Sequence, residues 1–252
     1  MNRYLILAAA LLASACGGKP ASDGAAAGST GVPAAAAGGS GAATPASAGA
    51  ASTAAGAPAA SSGAFANRAG ELSNPDDSTM VFLYHDLAGV PVPVDRWIEQ
   101  DSQVQYGPGD QKQARRDQLR TSITAGAQAV KGAGQLRLTM NANLSDYDPT
   151  YSEFTVQALA PSSVVTWSAF GEKVSLKFGN GLKAQTWSIP KEEAQAVRDR
   201  IQYPRSAEMT VLVRLTKVQP ETDGGSITGD VVEYELRNPN GGAVIGRVKV
   251  PS

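Results

Sequence analysis

The hydrophobic positions of this chain form two groups separated by a long stretch that has almost none. Residues 4–12 are a short apolar run, whereas residues 17–70 consist almost entirely of Ala, Gly, Ser, Pro and Thr. From Glu71 onward, apolar positions recur with the spacings of helices and strands. The middle stretch has too few large apolar side chains to repay the entropy of ordering it, so we expect it to be a disordered linker.

Within residues 71–252 the pattern predicts one early strand and three helices. The apolar run 79–84 has no polar interruption, which is typical of a buried strand. Apolar residues at helical spacing predict helices over 94–104 and 110–131, and Pro190 is expected to be the first residue of a third helix. The apolar stripe of this third helix consists of Ala194, Val197 and Ile201.

The remaining segments alternate between apolar and polar residues, which is the period of a strand with one wet face. The predicted strands are 136–141, 154–156, 164–167, 174–178, 184–188, 209–218, 226–236 and 243–250. The turn residues 238–242 join the last two strands as a hairpin. Sequential antiparallel strands with two or three helices predict an α+β domain, and a β-sandwich with inserted helices is the alternative.

The first sixteen residues, MNRYLILAAALLASAC, carry the most specific signal. Arg3 is followed by an apolar run that is too short to cross and remain in a bilayer, and small residues lead into Cys16. This segment resembles the lipobox signal peptide of bacterial lipoproteins, although Ala13 stands where that family favours leucine. The resemblance implies cleavage after Ala15 and lipidation of Cys16. The alternative is an ordinary secretory signal that leaves a free thiol.

The resemblance also implies a location. Gly17 and Gly18 follow the cysteine where an aspartate would favour retention in the inner membrane, so we expect an anchor in the outer membrane, on its periplasmic face. Two or more acyl chains hold a protein stably at a membrane. The chain is therefore expected to contain a signal peptide (1–15), a lipidated cysteine with a linker (16–70) and one globular domain (71–252).

The counts of charged residues, cysteines and histidines exclude several kinds of binding and metal site. Residues 71–252 contain 19 basic and 22 acidic side chains, a net charge of −3, which argues against nucleic-acid binding. Cys16 is the only cysteine, so the domain has no internal disulfide. His85 is the only histidine, which excludes metal sites that need two. We expect no cofactor, no metal site and no catalytic residues.

The weak candidates for chemistry are His85 with Asp86, and Asp146 with Asp148. The pair His85–Asp86 follows an apolar segment and could serve catalysis or binding, but a histidine with a local hydrogen bond is the commoner case. The two other aspartates offer oxygen ligands in a loop, without the spacing of an EF-hand. Asp148-Pro149 is more typical of a turn.

Three function hypotheses remain open. The first is a non-enzymatic module that binds a protein partner or takes part in envelope assembly from the outer membrane; a long tether raises the local concentration of such a domain near its partners. The second is a protective immunity protein or enzyme inhibitor. The third is a hydrolase that uses His85, which would require a pocket that joins His85 to a polar group from distant sequence.

Overall fold

The structure is a computed structural model that describes residues 65–201 and 206–251. Its helices are α1 (Asp77–Ala88), α2 (Val94–Gln100), α3 (Ser102–Tyr106), α4 (Lys112–Ala129), α5 (Gly181–Ala184) and α6 (Lys191–Ile201). Its strands are β1 (Gly70–Ser73), β2 (Ala133–Asn143), β3 (Glu153–Thr155), β4 (Val164–Ala169), β5 (Glu172–Phe178), β6 (Thr186–Ser188), β7 (Ser206–Glu221), β8 (Gly224–Arg237) and β9 (Val244–Lys249).

The strands form one large and one small sheet. The main sheet has the order β1-β2-β7-β8-β5-β4, and β9 pairs with the second half of β8. Its pairs are antiparallel except for β1 with β2 and β5 with β8, which are parallel. Strands β3 and β6 pair separately. The described residues therefore confirm the predicted α+β fold, with a mainly antiparallel sheet.

One face of the main sheet carries the hydrophobic core. Alternate residues of the central strands, such as Leu136 and Leu138 on β2 and Val211 and Val213 on β7, are buried on this face. Helix α1 contacts β4, β5, β7 and β8, and α4 contacts α1 and α2. Each fully buried side chain of this kind contributes about 1.5–3 kcal/mol to stability, so the alternation in the sequence fixes which face turns inward.

The prediction of a strand over residues 79–84 is wrong, because this segment is the middle of α1. The side chain of Asp76 accepts a hydrogen bond from the Thr79 amide at 2.7 Å and caps the helix. Gly89 ends it with a φ of 65°, a left-handed conformation that favours glycine. Residues 80–85 are all buried. A helix covered on every side has no polar stripe, so its sequence resembles that of a buried strand.

The other helices follow the prediction with adjusted ends. The helix predicted over 94–104 is divided into α2 and α3, because Asp101 adopts an extended conformation and its side chain caps α3 through the amides of Gln103 and Val104. The helix predicted over 110–131 is α4, and it begins without a side-chain cap. In α6 the predicted stripe is buried.

The folded part begins before the predicted boundary at Glu71. Phe65, the only aromatic residue of 17–70, is buried, and β1 already starts at Gly70. The guanidinium of Arg68 donates to the Asp86 carboxylate at 2.5 Å. Residues 65–70 thus belong to the domain: Phe65 is part of the core, Arg68 binds Asp86 of α1, and Gly70 pairs with β2.

The opposite face of the main sheet is polar and accessible to solvent, and we call it the open face. It consists of the residues of β1, β2, β5, β7, β8 and β9 that alternate with the buried ones. Its acidic residues are Glu71, Glu208, Glu221, Asp230, Glu233 and Glu235. Its basic residues are Arg137, Lys173, Lys177, Arg214, Lys217, Arg237, Arg247 and Lys249. The open face therefore carries more positive than negative charge, although the domain as a whole is acidic.

Candidate functional site

The most chemically suggestive cluster joins His85, Glu172 and Arg96 from three separate elements. Nε2 of His85, on α1, lies 2.8 Å from Oε2 of Glu172, the first residue of β5. Arg96, on α2, donates to the other carboxylate oxygen of Glu172. The side chains of His85 and Glu172 are only 5% and 9% exposed, whereas that of Arg96 is 56% exposed. A buried carboxylate is thus shared between an imidazole and a guanidinium.

The second nitrogen of the imidazole also has an acceptor. Nδ1 of His85 lies 3.3 Å from the carbonyl oxygen of Val90, in the loop after α1. An ionised Glu172 accepts only, so Nε2 must carry a proton to bond it, and Nδ1 must carry one to bond Val90. Both contacts are hydrogen bonds only when the ring is an imidazolium. Because both nitrogens face acceptors, the ring lacks the open position that a general base requires.

Aromatic rings surround this polar cluster. Trp97 stacks on Phe170 with ring centroids 4.4 Å apart and an interplanar angle of 8°. The ring of His85 meets Trp97 edge-on at 5.3 Å and Tyr84 edge-on at 5.4 Å. Phe82 lies 5.6 Å from Phe170. These contacts fix the orientation of the imidazole, and they join α1, α2 and the turn between β4 and β5.

A cleft of about 360 Å³ lies over the cluster. It is lined by His85, Arg96 and Glu172 together with Tyr84, Phe170, Glu221 and Asp223. Burial, together with the negative charges of Glu172 and Glu221, raises the pKa of the Tyr84 phenol. The phenol therefore stays protonated and can only donate or accept a hydrogen bond in this cleft. The volume of the cleft is within the range of small-ligand sites, but the residues that line the cleft are more polar than is usual for such sites.

Asp86 does not take part in this cluster. Its carboxylate binds Arg68, and its backbone carbonyl accepts a second bond from the same guanidinium at 3.3 Å. It does not line the cleft. His85 and Asp86 are neighbours in the sequence, but their side chains leave α1 in different directions. His85 contacts Glu172 of β5, and Asp86 binds Arg68 of the N-terminal segment.

The two loop aspartates are also separate from His85. Oδ1 of Asp148 accepts bonds from the amides of Thr150 and Tyr151 at 2.8 and 3.3 Å, which is the geometry of an Asx turn. The turn interpretation of Asp148-Pro149 is therefore confirmed. The carbonyl of Asp146 accepts from the Ser145 hydroxyl at 2.7 Å. In the part of the chain that the structure describes, no group of three or more His, Cys, Asp and Glu side chains could hold a metal ion.

Glu172 and Arg96 are the members of the cluster that sequence inspection missed. Glu172 is separated from His85 by 87 residues, and nothing in its local sequence marks it. One signal was present: Glu172 occupies a core-facing position of the alternating strand β5, next to Val174, Leu176 and Phe178. A charged residue on the apolar face of a predicted strand needs a polar partner in the core. His85, the only histidine, could have been inferred as that partner.

Cys16 and the predicted signal peptide lie outside the described residues. Among the described residues, no helix combines the length and the hydrophobicity that crossing a bilayer requires. Comparison of the chain with known protein families, curated proteins and solved structures finds no match.

Proposed function

We propose that this protein is a lipoprotein of the outer membrane whose folded domain is a non-enzymatic module that binds a protein partner on the open face. The chain would be attached through Cys16, and residues 17–64 would serve as the tether. A flexible segment of this length has a typical span of roughly 40 Å. The domain could then search for a partner at a distance from the membrane while its local concentration stays high.

The charge distribution of the open face is the observation that carries this proposal. Lys177 on β5 and Lys217 on β7 both pair with Thr228 of β8, from opposite sides. Adjacent strands are about 4.8 Å apart, so these two lysines occupy one row across three strands, with Lys173 farther along β5. In the described part of the chain no ion pair involves these three lysines, and we call them the lysine row.

Elsewhere on the open face, two carboxylates neutralise three arginines. Glu235 contacts Arg237 at 2.5 Å and also contacts Arg247, and Arg137 contacts Glu71 at 2.7 Å. No described ion pair involves the lysine row, Arg214 or Lys249, and the row is the largest group of these unpaired cations on the open face. Complementary charge guides association and selects partners. A protein with an acidic surface patch is the partner that this face fits.

The His85 cluster supports a non-enzymatic role. Both ring nitrogens of His85 and both carboxylate oxygens of Glu172 have a partner within the cluster or on the backbone, and the cluster joins α1, α2 and β5 as a structural link. The hydrolase hypothesis required His85 to meet a polar group from distant sequence, and Glu172 is such a group. However, the hydroxyl-bearing residues that line the cleft are Tyr84 and Thr222, and neither hydrogen-bonds to a ring nitrogen of His85.

The proposed anchor predicts that the Cys16→Ser protein leaves the membrane fraction. A serine hydroxyl cannot form the thioether, so the precursor should stay unlipidated and the protein should partition into the aqueous phase of a detergent extraction. Intact mass of the mature wild-type protein should show diacylglycerol on Cys16. A mature wild-type chain that begins at Cys16 with an unmodified thiol would contradict the anchor.

The proposed partner site predicts that charge reversal of the lysine row weakens capture. Full-length protein would be cross-linked in intact cells, extracted in mild detergent and analysed by mass spectrometry. For the Lys177→Glu, Lys217→Glu double variant we expect about tenfold less partner, equivalent to about 1.4 kcal/mol. Capture should also weaken as salt concentration rises.

The matched control is Lys131→Glu with Lys191→Glu, which changes the net charge equally but lies outside the sheet. This control should retain the partner. Equal loss in both double variants would show that net charge rather than the open face matters, and the proposal would fail. An enzyme as the captured partner, with lower activity in the complex, would favour the immunity or inhibitor hypothesis over envelope assembly.

A further inference from the structure

Strand β4, at one end of the main sheet, presents an unprotected edge. Among the described residues it pairs with β5 and with no other strand. None of its six residues is buried, and their exposure alternates between high and intermediate along the strand. Its sequence, Val-Val-Thr-Trp-Ser-Ala, contains no charge and no proline, and it is rich in residues that favour strands.

The other two edges of the main sheet are protected in ways that β4 is not. Strand β1 has only four residues, carries Glu71, and is followed within two residues by Pro75. Strand β9 carries Arg247 and Lys249, and α6 contacts it. Short length, charge and cover are the devices by which natural sheets prevent pairing between molecules. Strand β4 carries no charged side chain and no proline, and helix α1, which contacts it, also contacts β5, β7 and β8 on the core face. Neither charge nor proline therefore blocks pairing along its outer edge.

We propose that β4 pairs antiparallel with β4 of a second copy of this chain, which joins two main sheets into one. In an antiparallel pair, side chains directly opposite each other lie on the same face of the sheet. A two-fold axis perpendicular to the sheet must therefore lie midway between the two copies of one residue, which is then opposite itself. The two most central registers place the axis at Thr166 or at Trp167.

The side chains favour the axis at Thr166. In this register Val165 lies opposite Trp167 of the second copy, Val164 lies opposite Ser168, and Thr166 meets itself. Aromatic residues with β-branched ones, and threonine with threonine, are stabilising cross-strand pairs. An axis at Trp167 would place Val164 opposite Phe170, which has left the strand with a φ of 54°. No like charges meet in the favoured register, because the strand has none.

The size of this contact indicates how strong the dimer is. One pair of six-residue strands buries less than the roughly 1,000 Å² expected of a stable interface. The purified protein should therefore dimerise weakly, and attachment to one membrane would raise the local concentration of the two copies. The axis perpendicular to the sheet leaves both open faces on the same side, so the dimer would present two lysine rows to one side.

Cysteine substitution tests the register directly. Opposed residues in an antiparallel pair have Cα atoms about 4.5–5.5 Å apart, within the range that a disulfide spans. Purified full-length Thr166→Cys protein, in detergent and with a mild oxidant, should form a disulfide-linked dimer. Val164→Cys and Ser168→Cys should each link poorly alone, because equivalent residues are then about 14 Å apart along the strand. A mixture of these two proteins should link rapidly.

Two controls make the outcome decisive. The wild-type protein reports any link through Cys16, and Asn141→Cys places a thiol at an exposed position of the interior strand β2. The proposal is overturned if Thr166→Cys stays monomeric, or if Val164→Cys or Asn141→Cys links as fast as Thr166→Cys. A cross-link from Thr166→Cys to a different envelope protein, in place of the self-link, would also overturn it.

A non-covalent measurement gives the same test without oxidation. Thr166→Lys adds a charge to the exposed edge, and two lysines would meet on the axis. In sedimentation equilibrium we expect the dimer dissociation constant to rise at least tenfold, whereas Asn141→Lys leaves it unchanged. Equal dissociation constants for the wild type and Thr166→Lys would refute pairing through β4. This test needs no partner protein, so it is independent of the function proposed above.

Discussion

Replacing Glu172 with alanine is expected to lower the free energy of unfolding by about 1–3 kcal/mol, the usual cost of leaving a buried hydrogen-bonding group without its partner. The change would leave Nε2 of His85 buried without its acceptor and would release Arg96 from the domain. Glu172→Gln keeps an acceptor oxygen for the imidazole, so its loss should be smaller. Urea unfolding followed by circular dichroism measures both variants.

The chain offers a matched control for this prediction. Glu235 also binds two cationic side chains, Arg237 and Arg247, but its carboxylate is 20% exposed and faces the open side of the sheet. Solvent-accessible pairs typically contribute about 0–1 kcal/mol. Glu235→Ala should therefore have little effect on stability. If the two alanine variants lose the same stability, the His85–Glu172–Arg96 cluster is not the structural link described here.

Replacing Trp97 with alanine is expected to lower the free energy of unfolding by about 3–5 kcal/mol, as for other large aromatic residues in a core. The indole is 2% exposed and contacts Phe82, Phe170 and His85. Its Nε1 is buried without a hydrogen-bond partner in the described part of the chain. The loss would therefore come from packing and from the cavity left behind, not from a broken hydrogen bond.

Trp167→Ala is the control, because it deletes the same side chain from the half-buried inner face of β4. We expect a loss of about 1–2 kcal/mol there, since less apolar area leaves contact with the core. Circular dichroism should be used for both, because each variant changes tryptophan fluorescence. A larger loss for Trp167→Ala than for Trp97→Ala would mean that the aromatic cluster around His85 does not hold the helices to the sheet.

The period of the apolar residues predicted most of the fold, because amphipathic elements record in their sequence which side is buried. The strands β2, β5, β7 and β8 and the helices α4 and α6 were found this way. Helix α1 was not, because it is covered on all sides and its apolar run has no period. Its ends did carry signals: Asp76 before the run and Gly89 after it are a typical cap and terminator of a helix.

Sequence analysis identified one member of the candidate site, His85, but not the carboxylate that it contacts. His85 stands out because it is the only histidine, but the sequence favoured Asp86 as its neighbour. A helix turns successive residues about 100° apart, so His85 and Asp86 could not share a site on α1. The carboxylate that His85 meets belongs to β5, and it arrives there through the parallel pairing of β5 with β8. Such long-range pairing leaves no trace in local sequence.

Strand β8 has a consequence for the order in which the molecule can form. It pairs with β7 along its length, with β5 through its first half and with β9 through its second half. Synthesis delivers this strand late, so β5 has no place in the main sheet until most of the chain exists. Pairing between distant segments is also slow. For a protein exported as proposed here, this delay would keep the precursor unfolded while it passes through a narrow translocation channel, and the domain would become rigid only on the far side.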